Sequence, residues 1–226
     1  MEEKAFVQGI FVEEIKNRFL CTVNIKGTNE ICYIPSSCRL SNFLHMEGRK
    51  VLLSPVASPK ARTRYSVFAI KIGRRYIPIN LSGMNSVVKE QLSRRCFAFL
   101  GTRKNIQREL LIEGYKCDLY LPESKTIIEV KCILSLEGQA FFPAVFSERA
   151  IHQLKCLEDL LDKGYKVCYL FVSLNPSVST LSLNHQIPEF SIGFNNCMEK
   201  GMVVYGLTAM LRGNNITLSK RIAVDI

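Results

Sequence analysis

Residues 165–174 read YKVCYLFVSL, and between Lys166 and the end of the run no charged residue occurs. A strand with one wet face alternates apolar and polar residues, so a run this uniformly apolar must be covered on both faces. It is expected to be the central strand of a sheet with helices packed against it. The flanking sequence supplies candidates. Ser147 can cap a helix whose apolar stripe is Ala150, Ile151, Leu154, Leu157 and Leu161 and which Gly164 stops. Residues 85–100, NSVVKEQLSRRCFAFL, repeat Val88, Leu92 and Phe99 on a helical period. A third helix is expected around Pro188 to Lys200, then a strand at VVYGL and a hairpin across RGNN.

The first 80 residues have a different character. AFVQGIFVEE, RFLCTVNI, EICYIP, RKVLLSPV, RYSVFAIKI and RRYIPIN are short β-rich runs separated by turn residues. Several strands with almost no helix suit a small five-stranded barrel of the oligonucleotide-binding type. The chain is therefore divided into 1–81, an OB-like barrel, and 82–226, a mixed α/β (α+β) unit. No repeat or low-complexity linker separates them, so close packing is expected.

Charge is unevenly spread. Residues 1–80 carry 13 Lys/Arg against 6 Glu, net +7, whereas residues 81–226 carry 17 against 14, net +3. Arg39, Lys60, Arg62, Arg64, Arg74 and Arg75 belong to a basic stretch interleaved with Tyr65, Phe68 and Tyr76. Phosphate neutralisation beside rings that stack is how grooves for nucleic acid are built, and a basic solvated face has a similar composition. Nothing resembles a major-groove recognition helix or a zinc finger, so binding is expected to depend on salt and only weakly on sequence. The nine cysteines form no CxxC pair and mostly sit among apolar neighbours, as buried free thiols do. No apolar run approaches the ~20 residues of a membrane span, and the acidic N-terminal MEEKAFVQGIFVEE is unlike a secretory signal. A cytoplasmic protein without a membrane partner is expected; monomer and homodimer stay open.

The chemistry lies in YKCDLYLPESKTIIEVK, residues 115–131. Pro122, Glu123, Ser124 and Lys125 make a turn, and symmetric pairing places 121 opposite 126 and thus Asp118 opposite Glu129. Opposed like charges cost stability. A divalent cation with oxygen ligands would offset that, as magnesium prefers. The period of two puts Lys131 on the Glu129 face, turns Val130 into the core, and leaves the Val130 carbonyl as a possible ligand. The alternative is a surface ion pair on an exposed hairpin, worth about 0–1 kcal/mol.

From residue 114, GYKCDLYLPESKTIIEVKCILSLEGQAFFPAVFSERAIHQLKCLEDLLDKGYKVCYLFV resembles the C-terminal domain of the sugar fermentation stimulation protein A (SfsA) family. RFLCTVNI, GRKVLLSPVASPKARTRYSVFAI, NSVVKE and ELLIEGYKCD fall in the family's order, so the likeness runs nearly end to end. It implies an OB-like barrel followed by a PD-(D/E)XK restriction-endonuclease-like mixed sheet flanked by helices. It also implies DNA binding, with DNA ahead of RNA, and cleavage of phosphodiester bonds with Mg²⁺ or Mn²⁺. By resemblance Asp118 and Glu129 match the metal-binding acids, Lys131 the lysine that orients water or offsets charge, and Glu90 a supplementary helical acid. Glu90 could equally pair with Arg94 at i,i+4. Glu109, Glu148 and Arg149 also match family positions; Arg149 could clamp a phosphate and Glu148 could complement a helix N-terminus. Departures occur at ICYIPSSCRLSNF, which keeps Pro35 of a Thr-His-Cys-Pro-Asn-like run, at Ala150, a glycine in the family, and at His152-Gln153, a Lys-His pair there. The expected function is a nucleic-acid-binding protein with a metal-dependent nuclease site. The alternative is a non-cleaving DNA-binding regulator of sugar-metabolism genes that keeps the fold.

Overall fold

Six strands use up the first third of the chain: β1 (Val7–Glu14), β2 (Leu20–Ile25), β3 (Thr28–Tyr33), β4 (Lys50–Pro55), β5 (Tyr65–Ile72) and β6 (Arg75–Pro78). The structure is a computed structural model that describes residues 6–15, 19–35, 40, 45–58, 60–79, 81 and 83–226. The strand order is β3-β2-β1-β4-β5-β6, and a parallel contact of Tyr33 with Ser66 joins β3 to β5. That contact closes five strands into a barrel and leaves β6 as an annex on β5. Period two does the rest: Phe11, Cys21, Val23, Val51, Leu53 and Val67 are buried inside.

Beyond β6 follow α1 (Met84–Gln91), β7 (Gln107–Arg108), β8 (Leu111–Ile112), β9 (Tyr115–Lys116), β10 (Leu119–Leu121), β11 (Thr126–Ile133), β12 (Gln139–Phe142) and α2 (Glu148–Asp162). The chain ends with β13 (Lys166–Ser173), β14 (Thr180–Leu183), α3 (Pro188–Glu199), β15 (Val203–Arg212), β16 (Asn215–Arg221) and β17 (Ala223–Asp225). The main sheet has the order β16-β15-β13-β11-β10-β7, and β12-β14-β17 form a smaller parallel sheet. Strand β13 lies in the middle, parallel to β11 and β15. Its alternate residues feed two cores. Cys168, Leu170 and Val172 join the cluster shared with the barrel and α1, while Val167, Tyr169 and Phe171 join the cluster under α2 and α3. This is why the run carries no surface pattern. One apolar cluster unites barrel and sheet, so the two halves pack together.

Helix α2 begins where expected, with the Ser147 side chain accepting from the Ala150 N–H, and buries Ala150, Leu154, Leu157 and Leu160; Leu161 is only partly covered. Helix α1 is shorter than its period suggests. It stops at Gln91, Arg94 is extended, and a 3₁₀ turn over Arg95–Leu100 restarts the phase. Phe97 and Leu100 are therefore buried and Phe99 is exposed. Among the described residues no helix is long and apolar enough to cross a membrane.

One close approach makes a testable demand on β15. A Cβ built on Gly206 would meet Ile222 Cγ1 at 2.5 Å and Val224 Cγ2 at 3.0 Å, because β17 and its approach cross directly over that strand. Neither contact is the far end of a long flexible side chain. Gly206→Ala is expected to destabilise by about 1–3 kcal/mol, seen as a lower urea midpoint at unchanged slope.

Candidate active site

Asp118 stands at the point where one ladder ends. The β10–β11 hairpin turns through a 3₁₀ segment, Pro122–Ser124, and Lys125 in the left-handed region. Its register pairs Leu121 with Thr126, Tyr120 with Ile127 and Leu119 with Ile128, so the next position along sets Asp118 beside Glu129. There the side chain takes over the pairing. Asp118 Oδ2 accepts the Val130 N–H at 2.8 Å, and Oδ1 accepts Asn85 Nδ2 from α1 at 2.8 Å. The Asp118 carbonyl accepts the Glu109 N–H at 3.1 Å. A strand residue sends its N–H and C=O to the same edge, so the Val130 carbonyl leaves on the Asp118 side.

Glu129 is 2 % exposed on the face toward α2. Its Oε1 accepts from Lys131 Nζ at 2.6 Å and its Oε2 from the Tyr115 hydroxyl at 2.5 Å. Lys131 also donates to Gln153 Oε1 on α2 at 2.8 Å and lies 5.7 Å from the centre of the Tyr169 ring. The lysine is thus aimed by an acid, an amide and a π-face together. Burial pushes the Glu129 carboxyl above its ordinary range; Lys131 opposes this and the Asp118 charge reinforces it. The same burial, with Glu129 next to it, pushes the Tyr115 phenol far upward, so Tyr115 remains a donor. Tyr169, the register partner of Glu129 on β13, has the one buried side-chain oxygen without a hydrogen-bond partner among the described residues.

Each carboxylate oxygen of the pair accepts one bond, and an ionised carboxylate offers about four lone-pair sites. Capacity for a cation therefore remains. Among the described residues no group of three or more His, Cys, Asp or Glu gathers at one point. A cation at this site would draw on two carboxylates, a backbone carbonyl and water, an all-oxygen set that suits Mg²⁺ or Mn²⁺.

The remaining sequence-derived residues are dispersed. Glu90 is exposed and lines a groove with Ser86, Lys89, Arg103, Asn105 and Arg108. Arg94 donates to Gln91 Oε1 and to the Leu218 carbonyl. Glu109 is exposed and pairs with Lys116 at 2.6 Å. Glu148 and Arg149 are exposed on the first turn of α2, and Arg149 lies one turn before Gln153 on the same helix face. Arg39 lies outside the described residues. Lys60, Arg62 and Arg64 precede β5, whereas Arg74 and Arg75 follow it at the β5–β6 turn. An eight-residue strand separates the two sets, about 25 Å at ~3.3 Å per residue, so they do not form one patch. Asn85, Tyr115, Gln153 and Tyr169 complete the site. Asn85 opens NSVVKE and Tyr115 lies three residues before Asp118, but only the folded chain brings them together.

Comparison with known proteins follows the same division. Residues 15–79 match the SfsA N-terminal OB domain, and residues 82–215 match the sugar fermentation stimulation protein RE domain. A sugar fermentation stimulation protein homolog of Ruminiclostridium cellulolyticum is 28% identical over 230 residues, covering 100% of both chains. Its counterpart in Caldanaerobacter subterraneus is 29% identical and covers 96% of each. The structure of Pyrococcus furiosus SfsA in complex with Ca²⁺ superposes with a TM-score of 0.84 at 21% identity, over 100% of this chain and 98% of that one. At that identity the likeness is one of fold.

Proposed function

Because the chain belongs to the sugar fermentation stimulation protein family, we propose that it is a cytoplasmic nucleic-acid-binding protein that hydrolyses phosphodiester bonds at a PD-(D/E)XK-type site, with DNA ahead of RNA as substrate. The observation that carries this reading is Glu129. It is a carboxylate 2 % exposed, pushed upward by burial and by Asp118, and held beside an ammonium group on a largely apolar strand. Such arrangements are expensive and concentrate where chemistry needs them. The Pyrococcus furiosus relative was solved in complex with Ca²⁺, a hard cation of the class this oxygen-rich site would suit.

Asp118 and Glu129 would hold Mg²⁺ or Mn²⁺, with the Val130 carbonyl as a third oxygen. What such a cation supplies is Lewis-acid activation of water and neutralisation of phosphate charge. Lys131 orients the attacking water or offsets the charge that develops on the phosphate. Gln153 and the Tyr169 ring fix the lysine's direction, Asn85 fixes Asp118, and Tyr115 holds the far oxygen of Glu129.

A second reading is a regulator that binds DNA and does not cut it: each oxygen of the acid pair accepts from a protein donor, and those donors would compete with an incoming cation. One experiment separates the two. Labelled single- and double-stranded DNA are incubated with the protein in Mg²⁺, Mn²⁺ or EDTA, and binding is titrated with salt. Metal-dependent nicking is the expected result. Tight, salt-sensitive binding with no nicking in either metal replaces this reading with the regulator, and no binding at moderate salt removes both.

A further inference from the structure

The groove beside α1 adjoins the acid pair without sharing a residue with it. One wall is α1, through Ser86, Lys89 and Glu90; the other is the segment leading into β7, through Arg103, Asn105 and Arg108, and the space between them is about 600 Å³. Both walls are tethered to Asp118. Asn85, next to Ser86, donates to its carboxylate, and Glu109, next to Arg108, donates to its carbonyl. The groove therefore runs up to the acid pair at Asp118.

Its chemistry is that of a phosphate site. Three cations face a single acid. Arg103 is already ordered, with Nε on the Leu92 carbonyl at 2.7 Å and Nη1 on the Gly101 carbonyl, so its other donors are presented with little further loss of freedom. Asn105 is anchored through Nδ2 to Glu123 Oε1 at 2.9 Å. No aromatic ring stands among the described lining residues, so the groove has no platform for stacking bases and addresses the backbone.

We propose that this groove, with Lys89, Arg103 and Arg108 as its cations, holds the backbone phosphates that adjoin the scissile one. The substrate strand then runs along α1 and the β7 edge, and not across the barrel arginines. The proposal rests on the nucleic-acid reading above and is tested apart from cleavage. A fluorescein-labelled single-stranded oligonucleotide is titrated in EDTA and followed by anisotropy across a salt series. The double variant Lys89→Gln/Arg108→Gln is expected to bind about 10-fold or more weakly at low salt, with a salt slope shallower by about 1.4, since each single-strand phosphate contact contributes roughly 0.7. Arg62→Gln/Arg64→Gln is expected to lose less. If the double variant melts below the wild type, the single variants Lys89→Gln and Arg108→Gln replace it, each expected to flatten the slope by about 0.7. Groove variants that bind within twofold of wild type at unchanged slope overturn the proposal, as does a wild-type protein that does not bind the oligonucleotide. A wild type that binds through the groove yet never nicks ends the nuclease reading and leaves the groove standing.

Discussion

Asp118→Asn and Glu129→Gln are each expected to lower Mg²⁺-dependent nicking on the order of 10³-fold while oligonucleotide binding in EDTA stays within about twofold of wild type. The size follows from what each change removes. Asn and Gln keep the shape and one acceptor oxygen but lose the charge that makes the pair attractive to a hard cation. In Asp118→Asn the amide oxygen can keep the Val130 N–H, and the new NH₂ can donate to the Asn85 amide oxygen once that carboxamide turns over, so the local fold has reason to persist. Binding should survive because neither change touches the cations proposed to neutralise phosphate, Lys89, Arg103 and Arg108 of the groove beside α1. Nicking that persists in both variants, or binding that collapses with it, removes these two residues from the catalytic assignment.

Local rules reach the parts of this structure that are local. The hairpin register at Leu121 and Thr126 follows from a four-residue turn and a period of two. The Ser147 cap follows from one side chain and the three residues after it, and the central place of β13 from the absence of any polar face. The failures have a common physical origin. A helical period says nothing about where the helix stops, so the repeat that continues to Phe99 outlasts a helix that ends at Gln91. Basic residues close in sequence need not be neighbours in space, since the extended β5 carries Arg64 and Arg74 to its opposite ends. Asn85 reaches Asp118 across 33 residues and Gln153 reaches Lys131 across 22. Neither contact has any local signature, because each is made where α1 or α2 packs against the sheet.

That asymmetry has an energetic consequence at Glu129. Burial, opposed by Lys131 and reinforced by Asp118, raises its folded-state pKa above the unfolded value. A carboxyl raised in this sense contributes stability that is fully present below the ordinary value of 4.5 and is lost as pH rises through the folded value. Above that folded value the ionised group therefore works against the fold in the metal-free protein. Glu129→Gln is expected to raise the melting temperature in EDTA at pH 7–8 by a few degrees, given that ~1 kcal/mol is worth about 2–4 °C in a chain of this size. The gain should shrink to nothing near pH 4, where the wild-type carboxyl is itself protonated. Lys131 is not orphaned by the change, since Gln153 Oε1 remains 2.8 Å away. Millimolar Mn²⁺ should reverse the order: the wild type gains stability by binding the ion in its folded state alone, and the Gln variant does not. A variant less stable than wild type in EDTA at pH 8, or stabilised by Mn²⁺ as strongly as wild type, would show that the buried acid is a structural partner of Lys131 and Tyr115 and that its charge is not kept for a cation.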